Sequence, residues 1–236
     1  MNGQRSTLVN PLNQYAPLFT TIPTDRQVCW DRLAAFARFW HRVDCPPLDY
    51  TRTMLETEAR LHITLPDALV EWHTRFARFI NLWSDRSFTT PMNRLAVEDG
   101  RLIIRTESVF NGMLTAKWGI PLTAIESDDP PVDSILGLRV YPCAQRVSQF
   151  AIYCGMFDTL NSRHLEAIAC DNDAEFPAGG MKMEFPESFG IIKTEFYEGL
   201  NWIAMASGTD WYLRRHLADD TEQFIKHELR TKGLPP

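Results

Sequence analysis

Between residues 24 and 83 the apolar side chains recur at steps of three and four, the period of helices with one buried face. Leu33, Phe36, Ala37 and Trp40 form the first stripe. Thr24 and Gln27 stand at the spacing of a capping box, so a helix is expected to start at Thr24 and to stop before Pro46-Pro47, whose rings exclude helical continuation. A second helix is expected over Tyr50 to Leu61. After Leu65 a third begins with Pro66 and Asp67 in its first turn, where a fixed φ and a negative charge are favourable. Leu69, Trp72, Phe76, Phe79, Ile80 and Trp83 give it an apolar face about 100° wide, with Arg75 and Arg78 near the edge, their stems over apolar surface.

From residue 94 the period changes. Leu95 to Val97, the turn Glu98-Asp99-Gly100-Arg101, and Leu102 to Arg105 read as a hairpin on an Asp-Gly turn. A strand is expected over Met113 to Ile120. Glu126 to Val132 reads as a turn and an extended crossing, because each proline restricts the residue before it. Val147, Phe150, Ala151, Cys154 and Phe157 mark a fourth helix. Beyond it come a short strand over Leu165 to Ala169, an acidic loop over 171–188, a hairpin of Gly190 to Tyr197 with Leu200 to Ala206, and a last strand through Trp211 and Leu213. Asp220 and Gln223 are placed to cap a C-terminal helix ending near Leu229. Residues 1–22 lack a sustained period and read as an N-terminal arm, leaving 23–236 as one domain. Helices first, then hairpin-linked strands with a helix between them, predict an α+β fold with helices packed on a mostly antiparallel β-sheet.

Composition narrows the class. A chain of 236 residues with 44% apolar content can build a core without disulfides or metal. Its cysteines, Cys29, Cys45, Cys143, Cys154 and Cys170, are odd in number and form no C-x-x-C pair, which points to a reducing compartment. No apolar run reaches the length of a secretion signal or a membrane span, so a cytoplasmic, soluble protein with no membrane partner is expected. The net charge of −6 disfavours a sequence-independent grip on phosphate backbones, so no direct nucleic acid partner is expected. The acidity is concentrated: 98–133 carries seven acidic against three basic side chains, and 166–198 carries eight against two. Solvation of the surface accounts for most such runs; the alternative is a basic partner.

Candidate chemistry is sparse. Cys143 and His164 could form a nucleophile and base only if folding brought them together, and Cys143 follows Tyr141-Pro142 in what reads as a turn. His41 and Cys45 stand at i and i+4 but no second pair at matching spacing completes a metal set. His62 and His73 read as packing or surface histidines. The glycines form neither nucleotide cradle. No catalytic, cofactor-binding or metal residue is therefore assigned, and a non-catalytic binding protein is expected rather than an enzyme.

One stretch carries a recognisable pattern. Leu65-Pro66-x-x-Leu69, then Leu95-x-Val97-Glu98-Asp99-Gly100-Arg101-Leu102, Glu107, Trp118-Gly119-Ile120-Pro121-Leu122 and Asp128-Asp129-Pro130-Pro131-Val132 together resemble the SUKH superfamily, most closely over residues 50–160. That family holds fungal Smi/Knr-type regulators and many bacterial immunity proteins. The resemblance implies a single SUKH-like domain that binds and neutralises a cognate protein toxin; toxins of this kind are often nucleases, whose phosphate-binding surfaces are basic. An intracellular regulatory scaffold and an unrecognised enzyme are the competing classes. Taken on the residues themselves, Trp118 is a core aromatic with an indole N–H to satisfy, and Asp129 before its prolines is a cap for a backbone N–H. An acidic inhibitor would complement a basic toxin surface. On that reading the partner-contact residues are Glu98, Asp99, Glu107, Asp128, Asp129, Glu175 and Glu187.

Overall fold

The computed structural model describes residues 21–41, 43–77, 87–109, 114–162, 166–168, 181–183, 194–198, 202–207 and 210–215. Asp25 opens the first helix, α1 (Arg26–His41). Its Oδ1 accepts the Val28 N–H at 2.9 Å and its carbonyl accepts the Cys29 N–H at 3.0 Å, so the cap falls one residue later than the Thr24 box predicts. The stripe Leu33, Phe36, Ala37 and Trp40 is buried, joined by Cys29 and Trp30.

Asp49 Oδ1 takes the Thr51 N–H at 3.0 Å and starts α2 (Thr51–Leu61), which ends at His62 in the left-handed conformation, φ 55°. Helix α3 (Asp67–Trp72) does not continue as the regular helix its period suggests. It widens into a π turn over His73–Ala77, where the Thr74 carbonyl accepts the Leu48 N–H at 3.0 Å from outside the helix. Leu69, Trp72 and Phe76 are buried as expected; Arg78, Phe79, Ile80 and Trp83 lie outside the described residues.

Six strands form the first sheet: β1 (Ser87–Thr89), β2 (Ala96–Glu98), β3 (Arg101–Val109), β4 (Leu114–Pro121), β5 (Val132–Leu136) and β6 (Arg139–Ala144). Their order is β1-β3-β4-β5-β6, with β2 also on β3, and every pairing is antiparallel. Asp99 (φ 46°) and Gly100 (φ 73°) turn β2 into β3 as anticipated, both in the left-handed region that a type I′ hairpin needs. The β5–β6 hairpin corrects the sequence reading. Val132 begins a strand, and Tyr141-Pro142 lies inside β6, not in a turn. The sheet tolerates Pro142 because β6 is an edge strand.

Two features set what this sheet sends into the core. Ile103 pairs with Gly119 and Arg105 with Trp118, so Ile104 is an extra residue, and the bulge turns both Ile104 and Arg105 inward. On the other face Gly119 leaves room for Arg101 to cross β4, its Nε 2.9 Å from Asp133 Oδ2 on β5. A Cβ at Gly119 would stand 3.1 Å from both Arg101 Cβ and the Leu102 carbonyl.

Helix α4 (Val147–Leu160) is apolar almost all round and buried almost all round, the pattern of a helix enclosed by its neighbours. It touches α1, α3 and β6, and also two strands of a second antiparallel sheet. That sheet comprises β7 (Glu166–Ile168), β8 (Met181–Met183), β9 (Thr194–Glu198), β10 (Trp202–Ser207) and β11 (Asp210–Arg215), in the order β7-β11-β10-β9-β8. The β9–β10 hairpin and the last strand agree with expectation; β8 lies within what reads as an acidic loop, and the C-terminal helix near 220–229 falls outside the described residues. Phe150, Tyr153 and Phe157 stack along α4, ring centroids 6.1 and 6.0 Å apart, while Tyr153 meets Phe196 of β9 edge-on at 5.6 Å. The result is one α+β domain with helices against antiparallel sheet.

Candidate functional site

The loop between β4 and β5 gathers the N-terminal ends of three helices. Ala68 near the start of α3 donates its N–H to the Asp128 carbonyl at 2.9 Å, and Arg26 at the start of α1 donates to the same oxygen at 3.2 Å. Asp129 caps α4 from nineteen residues away: Oδ1 accepts the Ser148 N–H at 3.0 Å and Oδ2 accepts the Ser148 hydroxyl at 2.6 Å. The Leu122 N–H donates to the Gly100 carbonyl at 2.9 Å, which ties the β2–β3 turn to the same end of the sheet. Acidic residues beside helix N-termini answer the positive ends of the helix dipoles. A cleft of about 610 Å³ opens here, lined by Thr24, Asp25, Arg26, Ser127, Asp128, Asp129 and Arg146.

This geometry sorts the acidic residues singled out in the sequence. Asp99, Glu126 and Asp128 are exposed at this end, and none has a side-chain partner among the described residues. Glu98 is at the same end but is ion-paired with Lys117. Both oxygens of Asp129 are taken up by Ser148, so its role is the internal cap that the residue type suggested, spanning to a helix rather than closing its own turn. Glu107 belongs elsewhere: it lies toward the far end of β3, paired in register with Ser87 and Ala116, half-buried and in electrostatic reach of Arg105 and Tyr153. Glu175 and Glu187 lie outside the described residues. Arg26 is committed to Glu71 (3.3 Å) and Asp67 (3.7 Å), whereas Arg146 faces the cleft with no ion-pair partner among the described residues.

The described cysteines and the histidines His41 and His73 are packed into the fold. Burial pushes the thiols of Cys29 and Cys45 up to about 11 and about 12 and that of Cys154 well above its ordinary value, which suppresses the reactive thiolate. Cys143 is sealed in β6, and His164 lies outside the described residues. The Thr159 hydroxyl donates to the Gly155 carbonyl at 2.6 Å, leaving its oxygen to accept from His41 Nε2 at 2.7 Å, so the His41 ring serves α1–α4 packing. Burial holds His73 down at about 4. No group of three or more His, Cys, Asp or Glu among the described residues could hold a metal ion, and no described helix is long and apolar enough to cross a membrane. Trp118 is the core aromatic anticipated, tilted against Phe150, yet its buried indole N–H finds no acceptor among the described residues, and neither does that of Trp72.

Sequence reading missed one buried pair. Arg105 of β3 grips Asp158 of α4 through both guanidinium NH2 groups, Nη1 to Oδ2 at 3.1 Å and Nη2 to Oδ1, while Nη1 also reaches Thr89 Oγ1 at 3.3 Å. The signal was present: Arg105 ends a run of Leu-Ile-Ile, and Asp158 is the sole charge in α4. Comparison of the chain with protein-family models, with curated proteins and with solved structures found no match in any of the three.

Proposed function

We propose that the chain is a non-catalytic inhibitor, a SUKH-like immunity protein that works in the cytoplasm by binding a basic protein toxin through the acidic end of its first sheet. The observation that supports this reading most is the exposed set Asp99, Glu126 and Asp128 on backbone pinned by the Leu122–Gly100 and Ala68–Asp128 hydrogen bonds. Charges on a fixed backbone meet a partner with little ordering cost, and complementary charge raises the association rate and penalises wrong partners. Glu98 and Asp129 support the geometry through Lys117 and Ser148 instead of supplying contacts.

The test is co-expression with the neighbouring reading frame, scored for rescue from toxicity and for co-purification. Reversing Asp99, Glu126 and Asp128 to lysine should slow association by about tenfold or more at low salt and flatten its salt dependence, as expected when steering charges are removed. Absence of both rescue and co-purification overturns the inhibitor assignment. Rescue with an unchanged salt slope in the triple variant overturns the acidic contact surface alone.

A further inference from the structure

Asp99 and Gly100 join β2 to β3, and their turn brings a carboxyl, an unengaged amide nitrogen and a guanidinium together. A type I′ turn spends the carbonyl of its first residue and the N–H of its fourth, here Glu98 and Arg101. The Gly100 N–H is left outside the turn's own hydrogen bond. Asp99 is exposed, and its carboxylate has no partner among the described residues. A Cβ at Gly100 would meet nothing within 4 Å, so neither a side chain nor a neighbour shields that nitrogen from the carboxyl beside it.

Arg101 acts on the same amide. Its Nη1 donates to the Asp99 carbonyl oxygen at 3.1 Å, while its Nε is held by Asp133 Oδ2 at 2.9 Å. That carbonyl oxygen and the Gly100 nitrogen belong to one delocalised peptide unit. When the nitrogen loses its proton, negative charge spreads onto the oxygen, where the guanidinium stabilises it. Arg101 therefore favours the nucleophilic form of the nitrogen that is one ring closure away from the Asp99 carboxyl. Little locks Asp99 against the rotation that closure needs. It is an L residue at φ 46°, held there by the turn alone, and β2 is three residues long and pairs only with β3.

We propose that Asp99-Gly100 is a self-modification site, at which the folded chain converts Asp99 to isoaspartate with Arg101 assisting. The Gly100 nitrogen, its proton released to solvent, attacks Cγ of the protonated Asp99 carboxyl. The N–Cγ bond forms, the Cγ–OH bond breaks, and the hydroxide takes up a proton and departs as water. A second water then opens the cyclic imide. Attack at Cγ restores aspartate. Attack at the main-chain carbonyl breaks that carbon's bond to nitrogen and leaves the chain running through Cβ and Cγ, with the carboxylate on Cα. No electrons are gained or lost, and the net charge is unchanged. The backbone between Glu98 and Arg101 becomes one atom longer, so the pairing that flanks the turn cannot keep its geometry. The conversion stands independently of the inhibitor reading, whose acidic end it would reshape.

The full chain, kept folded in neutral heavy-oxygen water, tests it. Each ring opening places one heavy oxygen at residue 99, read by mass spectrometry of the proteolytic fragment that carries it, and chromatography separates isoaspartate from aspartate. The folded chain should take up label there at least as fast as a synthetic peptide of residues 95–103. Arg101→Gln should slow the folded chain by about tenfold, the scale of one charge-assisted hydrogen bond, and the matching peptide far less. Asp133→Asn breaks the same ion pair but keeps Arg101, so it should retain most of the rate, which separates the contact on the amide from a loosened sheet. A folded chain of unaltered sequence that labels far more slowly than the peptide shows that the turn protects its own Asp-Gly pair, and overturns the proposal without any substitution. Equal slowing of chain and peptide by Arg101→Gln overturns the part given to Arg101.

Discussion

Removing Asp158 leaves the Arg105 guanidinium buried and charged and takes away the strongest of its negative neighbours. Arg105 is 2% exposed and Asp158 0%. Burial works against the arginine's charge, and Asp158 leads the negative neighbours that more than offset it; without Asp158 the guanidinium still holds its proton, because its ordinary range lies far above neutral pH. Breaking such a pair from one side costs about 3–5 kcal/mol, against a total stability of roughly 5–15 kcal/mol for a domain. Asp158→Ala should therefore lower the urea midpoint severely and the Tm by about 6–20 °C at this chain length. The loss should be nearly the same in 0.1 M and 1 M salt, since a buried pair is little screened. Arg105→Met/Asp158→Leu, which removes both charges and refills the volume, should recover most of the loss. A single variant costing under about 1 kcal/mol, or a double variant no better than the single, would refute the reasoning.

Two further outcomes follow from the caps and the buried histidine. Asp129→Ala should cost about 1–2 kcal/mol by uncapping α4, Asp129→Asn less, and neither should alter the salt dependence of association with the proposed partner in the way expected of the Asp99/Glu126/Asp128 reversal; an equal salt effect would move Asp129 into the proposed contact surface. The folded chain holds His73 at about 4 while the unfolded chain takes up a proton near 6.5, so stability is full above pH 6.5 and falls by roughly 3 kcal/mol as pH drops toward 4. Urea midpoints of His73→Gln between pH 7 and 4.5 should fall less steeply than those of the unaltered chain; parallel curves would assign the acid limb to other groups.

Local periodicity made the first helices and the Asp99-Gly100 hairpin readable, because burial of one face and positive φ leave marks on adjacent residues. What escaped depends on partners distant in sequence. The π turn at His73–Ala77 keeps the spacing of Leu69, Trp72 and Phe76, and the outside donor Leu48 has no mark in that stretch. Pro142 reads as a breaker until β6 is known to be an edge, and Gly137-Leu138 hides its turn behind a leucine. At the acidic end, charge density was visible along the chain, but only the fold separates exposed Asp128 from Asp129, which Ser148 occupies, and sends Glu107 to the far end of the sheet.

The position of α4 between the two sheets also shapes how the chain is made. During synthesis, helices α1 to α4 and the first sheet are made before any residue of β9 or β10 exists. Tyr153 has at that stage no Phe196 to close over it. More than thirty residues separate the end of α4 from the strand that covers it, so a chain cut short in that interval keeps an apolar helix face with no β9 or β10 to close it, the kind of exposed surface that makes partly folded chains aggregate.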